Sequence, residues 1–162
     1  EDLRDNRDRQ IVEKVRGDGI MVMFGAPEPH AAPCEGAFRA ARGILAALDD
    51  LNRTQLASYG VSLSVAIGLA FGDAVFGDLG SADRKDFTAL GDAVNVAARL
   101  QDLAESLGFP VLMTAAFAAN LAPETRAESA PEELGEAPIK GHSSVAIAGW
   151  PPTGKAERVV VE

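Results

Sequence analysis

Residues Ile11–Phe24 read IVEKVRGDGIMVMF, two β-prone runs on either side of Gly17-Asp18-Gly19. An Asp-Gly pair between such runs is the strongest short-range signal for a hairpin, because the tight turn needs positive φ angles that these residues tolerate. Asp18 is thereby placed at or beside the hairpin tip. After the proline-rich GAPEPHAAP, Ala37, Ala41, Ile44, Leu48 and Leu51 recur at helical spacing, and Phe38 and Leu45 widen the apolar stripe. This predicts an amphipathic helix ending near Asn52. Val61, Leu63, Val65, Ile67 and Leu69 then alternate with Ser62, Ser64, Ala66 and Gly68, the period of a half-buried strand. A second strand is expected around Asp73–Gly77.

The segment GDAVNVAARLQDLAESLG predicts a helix from about Asp92, whose carboxylate is expected to cap the first turn, to a stop at Gly108. FPVLMT reads as a short strand and TAAFAANL as a short helix. PIKGHSSVAIAGW reads as a terminal pair of strands turning at Gly141-His142, and the polar APETRAESAPEELGEAP before it as a long surface loop. Hairpins interspersed with single crossover helices suit an α+β fold, an open mixed sheet with helices on one face.

The chain has 162 residues, 47% hydrophobic and 24% charged, enough for one domain with a sizeable core. Its 15 Lys and Arg against 24 Asp and Glu give a net charge of −9, so broad electrostatic attraction to nucleic acid is not expected. The single Cys34 can form no internal disulfide, and the compartment expected is the cytoplasm. No apolar run approaches the roughly 18 residues of a membrane span, so no membrane contact by this segment is expected.

Taken one at a time, the polar candidates have ordinary explanations. Asp18 before a glycine suits a turn, and Lys14 and Lys140 suit solvated strands. Asn95 and Arg99 lie four apart and share one helix face, which an exposed polar surface would also produce. Asp92 reads more readily as a helix cap than as a ligand, and a β-branched Thr88 needs no function in a strand.

Their joint order is more informative. KVRGDGIMVMFGAP, GSADRKDFTALGDAVNVAARL and IKG, in this sequence from about Ile11 to Trp150, resemble the catalytic domain of class III nucleotidyl cyclases. The G-x-x-V-N-x-A-x-R pattern in FTALGDAVNVAARL resembles the family's signature helix, and GDGIMVMFGAP its metal-site hairpin. The resemblance implies a ferredoxin-like mixed sheet and an adenylate cyclase activity, conversion of ATP to 3′,5′-cyclic AMP and pyrophosphate. It implies that Asp18 is one of two metal-binding aspartates holding Mg²⁺ or Mn²⁺, two ions per intact site. Lys14, four residues before Asp18, and Thr88, seven before Asn95, match the purine-selecting pair of a bacterial-type subgroup. A lysine there goes with adenine, since its donors meet a ring-nitrogen acceptor, whereas the threonine hydroxyl could serve either purine. Asn95 would orient the ribose, Arg99 would hold the α-phosphate, and Lys140, assisted by Arg84, the outer phosphates.

The resemblance further implies a homodimer with shared active sites and a fused or separate sensory domain. The family's first strand carries a motif like F-x-D-I-x-G-F-T with the other metal aspartate, yet only ten residues precede Ile11. Just 15 residues lie between Asp2 and Asp18, too few for the usual strand, helix and return. The expected organisation is therefore a single, N-terminally truncated cyclase domain: a helix remnant at 1–9, a core at 10–150 and an extension at 151–162. An alternative from the same residues is a non-catalytic cyclase-homology module that dimerises or binds nucleotide.

Overall fold

The computed structural model describes residues 10–16, 19–26, 31–78, 87–139 and 144–150. Strands β1 (Gln10–Arg16) and β2 (Gly19–Phe24) pair antiparallel, the hairpin that the Asp-Gly signal predicts; Arg16 stands opposite Gly19, so Gly19 already belongs to β2. Helix α1 (Pro33–Leu51) starts on a proline, whose fixed φ and missing N–H suit a first helical turn. It buries Cys34, Ala37, Phe38 and Ala41. Ile44, expected in the apolar stripe, is instead exposed, because the core under α1 thins out toward its C-terminal half.

The long strand expected over Val61–Leu69 is cut to β3 (Ile67–Leu69). The cause lies at the end of α1, which runs on through a π-helical turn, Asn52–Leu56. There the Asn52 side chain donates from Nδ2 to the Leu63 carbonyl at 2.8 Å and accepts from the Leu63 N–H at 2.8 Å. One side-chain amide thus takes both backbone groups that a neighbouring strand would use. Val61 and Leu63 stay half exposed.

Strands β4 (Val75–Asp78) and β5 (Phe87–Leu90) form a second hairpin, followed at once by α2 (Asp92–Leu107). The N-cap is Gly91, and Asp92 is the first helical residue; its charge faces the positive end of the helix dipole from there. Gly108, at φ 70°, ends the helix as expected. Next come β6 (Val111–Thr114), α3 (Ala115–Ala119), α4 (Pro123–Ser129), β7 (Glu132–Ala137) and β8 (Val145–Trp150).

The presumed surface loop therefore contains a helix and a strand, and the partner of β8 is β7 rather than the PIKG segment. Three glutamates disguise β7, as suits a strand at the edge of a sheet, and a register shift near Gly135 (φ 82°) bends it. The Gly141-His142 turn lies outside the described residues, as do 1–9 and 151–162.

The main sheet has the order β3-β6-β8-β7, with β3 and β6 parallel and the other pairs antiparallel. This mixed sheet bears out the α+β fold, but the helices cover both faces rather than one. Val111, Met113 and Ala148 pack with Phe38 and Ala41 of α1 and Phe117 of α3. Their neighbours Leu112 and Ile147 point the other way, onto Val96, Leu100 and Ala104 of α2. Central strands with apolar residues at every position, such as VLMT, require a cover on each side.

Two cross-ties join the periphery. Glu35 accepts hydrogen bonds from the Ala122 N–H (2.5 Å) and the Thr125 hydroxyl (2.8 Å), so α1 caps the start of α4. Trp150 meets Phe38 edge-to-face at 5.5 Å between centroids, and the Arg42 guanidinium lies 5.8 Å from its ring.

Candidate active site

The two hairpins lie against each other through β1 and β5. Lys14 stands on β1 opposite Met21, and Thr88 on β5 opposite Gly77, so both purine-selecting candidates occupy adjoining strands. The chain then leaves β5 at Leu90, passes Gly91 and enters α2, where Asn95 and Arg99 follow within two turns.

The two faces of α2 are chemically distinct. Val96, Leu100 and Ala104 are buried against the sheet, whereas Asp92, Asn95, Arg99 and Asp102 are exposed at three- and four-residue steps. The Arg99 Nη1 lies 3.6 Å from Asp102 Oδ2, with the two side chains 52% and 64% exposed. Sequence reading overlooked Asp102, although its i,i+3 spacing from Arg99 is the signal for such a pair. A guanidinium and an amide on one open helix face can together engage a phosphate and a hydroxyl of one ligand.

Asp18, Arg84 and Lys140 lie outside the described residues. Among the described residues no three His, Cys, Asp or Glu side chains gather where they could hold a metal ion. Cys34 directly follows the proline-rich segment in sequence but stands in the first turn of α1, within the core. Burial first, and the neighbouring Glu35 charge second, push its thiol up to about 11. At neutral pH it is protonated and unsuited to nucleophilic attack. No helix among the described residues is long and apolar enough to cross a membrane.

Fold and site together define an α+β domain that presents a polar helix face beside two juxtaposed hairpins. The chain belongs to the adenylate and guanylate cyclase catalytic domain family, which it matches over residues 1–150. Adenylate cyclase 1 of Rhizobium meliloti is 33% identical over 128 residues, covering 79% of this chain and 19% of that protein. An uncharacterized protein of Mycobacterium tuberculosis is 37% identical over 101 residues, covering 62% of this chain and 16% of that protein. The chain thus spans less than a fifth of the length of these relatives.

Among solved structures, the adenylyl cyclase CyaB from P. aeruginosa superimposes with a TM-score of 0.71 at 25% identity, covering 94% of this chain and 75% of that one. A bacterial light-regulated adenylyl cyclase gives 0.69 at 28% identity, covering 85% of this chain and 37% of that one. The guanylyl cyclase Cya2 shares the fold, with a TM-score of 0.69 at 22% identity over 86% of this chain and 68% of that one.

Proposed function

We propose that this chain is the catalytic domain of an adenylate cyclase that converts ATP to 3′,5′-cyclic AMP and pyrophosphate. The observation that carries the reading is the contact between β1 and β5, which makes neighbours of the strands bearing Lys14 and Thr88 and leads directly into the exposed Asn95–Arg99 face. The adenylate cyclases among its relatives support the choice of purine.

On this reading Lys14 donates to an adenine ring nitrogen, and Thr88 accepts from the exocyclic amino group. Asn95 holds the ribose so that its 3′-oxygen stands in line with the α-phosphorus, which replaces a chance encounter by a fixed geometry. The new bond joins the 3′-oxygen to the α-phosphorus, and the bond from that phosphorus to the bridging oxygen breaks, releasing pyrophosphate. Arg99 stabilises the charge that builds on the α-phosphoryl oxygens, while Lys140 and Arg84 hold the outer phosphates.

Asp18, between Arg16 and Gly19 in the first hairpin, offers the hard oxygen donor that Mg²⁺ or Mn²⁺ takes. A bound divalent ion would offset triphosphate charge and acidify the attacking hydroxyl. The site is shared between two copies of the chain: the apolar Ile20 and the cross-strand pair Val75 and Leu90 are exposed on the two hairpins, as suits a face covered in a dimer. A cytoplasmic setting and control by a fused or separate sensory domain complete the reading.

The test is to incubate the full-length protein with ATP or GTP and Mg²⁺ or Mn²⁺ and to identify the products by chromatography. Cyclic AMP formed from ATP in preference to cyclic GMP from GTP supports the proposal. Nucleotide binding without cyclisation would replace it by the non-catalytic module.

A further inference from the structure

The motif G-x-x-V-N-x-A-x-R has two faces in this fold. Asn95 and Arg99 point outward, whereas Gly91 and Ala97 meet backbone on the inner side of α2. A Cβ at Gly68, the centre of β3, would lie 2.0 Å from the Ala97 carbonyl oxygen and 2.6 Å from the Gln101 nitrogen. A Cβ at Gly91 would lie 2.6 Å from the Asp73 carbonyl oxygen and 2.9 Å from Ala74 Cα. Every one of these obstacles is backbone, so no side-chain rotation relieves the overlap. Gly91 is extended (φ 162°), a conformation open to any residue, so its need for glycine is one of space. Gly77 and Gly43, by contrast, have nothing within 4 Å of such a Cβ.

We propose that Gly68 and Gly91 are positioning residues for the cyclisation: they seat the α2 backbone directly on β3 and on the 73–74 segment, and so set the height at which Asn95 and Arg99 stand above the sheet. The inference rests on the proposed cyclase reading with shared sites. A methyl group at Gly68 moves α2 outward by more than about 1 Å to restore contact distance, and a displacement of even about 1 Å at a reacting geometry costs on the order of 10²-fold in rate. The helix moves as a unit, so the ribose and α-phosphate groups are misplaced together while the hairpin bearing Asp18 is untouched.

The test uses full-length protein and subunit mixing. Gly68→Ala should lower kcat on the order of 10²-fold with KM for ATP changed by about threefold or less, and Gly43→Ala should leave turnover unchanged. If the defect lies in α2 alone, Gly68→Ala belongs with Asn95→Ala. Mixed one to one with Asp18→Ala it should recover about a quarter of wild-type activity, since half the dimers are mixed and each keeps one intact site; mixed with Asn95→Ala it should recover none. The pair Asp18→Ala with Asn95→Ala, containing no glycine variant, tests the shared-site reading separately. Its failure to recover overturns that reading and the proposal with it. Recovery there, but none with Gly68→Ala and Asp18→Ala, overturns the proposal alone and makes Gly68 a folding residue. Wild-type turnover of Gly68→Ala overturns it as well. Should Gly68→Ala not accumulate as folded protein, Gly91→Ala undergoes the same mixing, and failure of both to fold rejects a positioning role.

Discussion

Asp102 holds Arg99 by an i,i+3 ion pair on α2, at 3.6 Å and largely in solvent. A pair so exposed contributes roughly 0–1 kcal/mol, so Asp102 keeps the guanidinium on the open face without locking it there. Arg99→Ala should lower kcat on the order of 10²-fold or more with a smaller change in KM, since the contact strengthens as charge develops on the phosphoryl group. Steady-state kinetics with ATP checks this, and wild-type turnover would return Arg99 to the role of a solvated surface residue. Asp102→Asn should change the melting temperature by about 4 °C at most.

Purine choice is expected to follow the adjoining strands β1 and β5. In the full-length protein, Lys14→Glu combined with Thr88→Cys should depress turnover of ATP more than turnover of GTP, because an adenine ring nitrogen would face an acceptor instead of a donor. Parallel assays with both nucleotides measure the ratio, and equal losses would remove Lys14 as a selector.

The end of β6 offers a test of local stability. Thr114, 6% exposed, caps α3 by accepting the Phe117 N–H at 3.0 Å. Thr114→Val should cost about 1–2 kcal/mol in urea unfolding, because a buried donor loses the hydroxyl that caps it, and Thr114→Ser should retain most of the cap's contribution. Equal stability of the two variants would show that the cap contributes nothing.

Cys34 makes a pH-dependent contribution of definite sign. Its thiol pKa is raised from 9.0 to about 11 in the folded chain, so the folded state holds the proton more tightly than the unfolded one. The contribution is fully present below pH 9 and is lost as the pH rises toward 11. The stability difference between wild type and Cys34→Ala, measured by denaturant titration, should be flat from pH 6 to about 8.5 and then shift against the wild type. A difference that stays constant to pH 11 would contradict the raised value.

The tie between α1 and α4 is also open to measurement. Glu35→Ala removes the acceptor for the Ala122 N–H and the Thr125 hydroxyl, at an expected cost of about 1–3 kcal/mol. Hydrogen exchange should localise the loosening to residues 120–129, while exchange in α2 stays unchanged.

Much of this architecture was legible because local chemistry and tertiary structure agree. The Asp18-Gly19 signal marks a hairpin, and strands pair on either side of it with Gly19 already in β2; the spacing of Val96, Leu100 and Ala104 suits burial on one helix face. The failures occur where a neighbour overrules the local pattern. Alternation from Val61 to Leu69 promised a strand, but the Asn52 amide, eleven residues before Leu63, occupies the backbone groups a strand needs. β7 hid behind its glutamates, since an edge strand is free to be polar. Packing on both sheet faces was missed, although VLMT carries its signal, an uninterrupted apolar run that fits a doubly covered strand. Within the site, the four-residue step from Asn95 to Arg99 announced their common face. Gly68 gave no such signal, because a glycine within an alternating strand reads as an unimportant outward position until the opposing helix is in place.

The parallel pairing of β3 with β6 joins residues more than forty positions apart, Ile67 with Val111 and Leu69 with Met113. A ribosome must therefore deliver the whole second hairpin and all of α2 before β3 can find its partner. During that interval the apolar, uncharged run from Val61 to Ala70 has no sheet to join, the circumstance in which nascent chains associate with one another. Loop closure around α2 then limits how soon this part of the sheet can form, and the run offers a chaperone that binds extended apolar segments a target for as long as closure is pending.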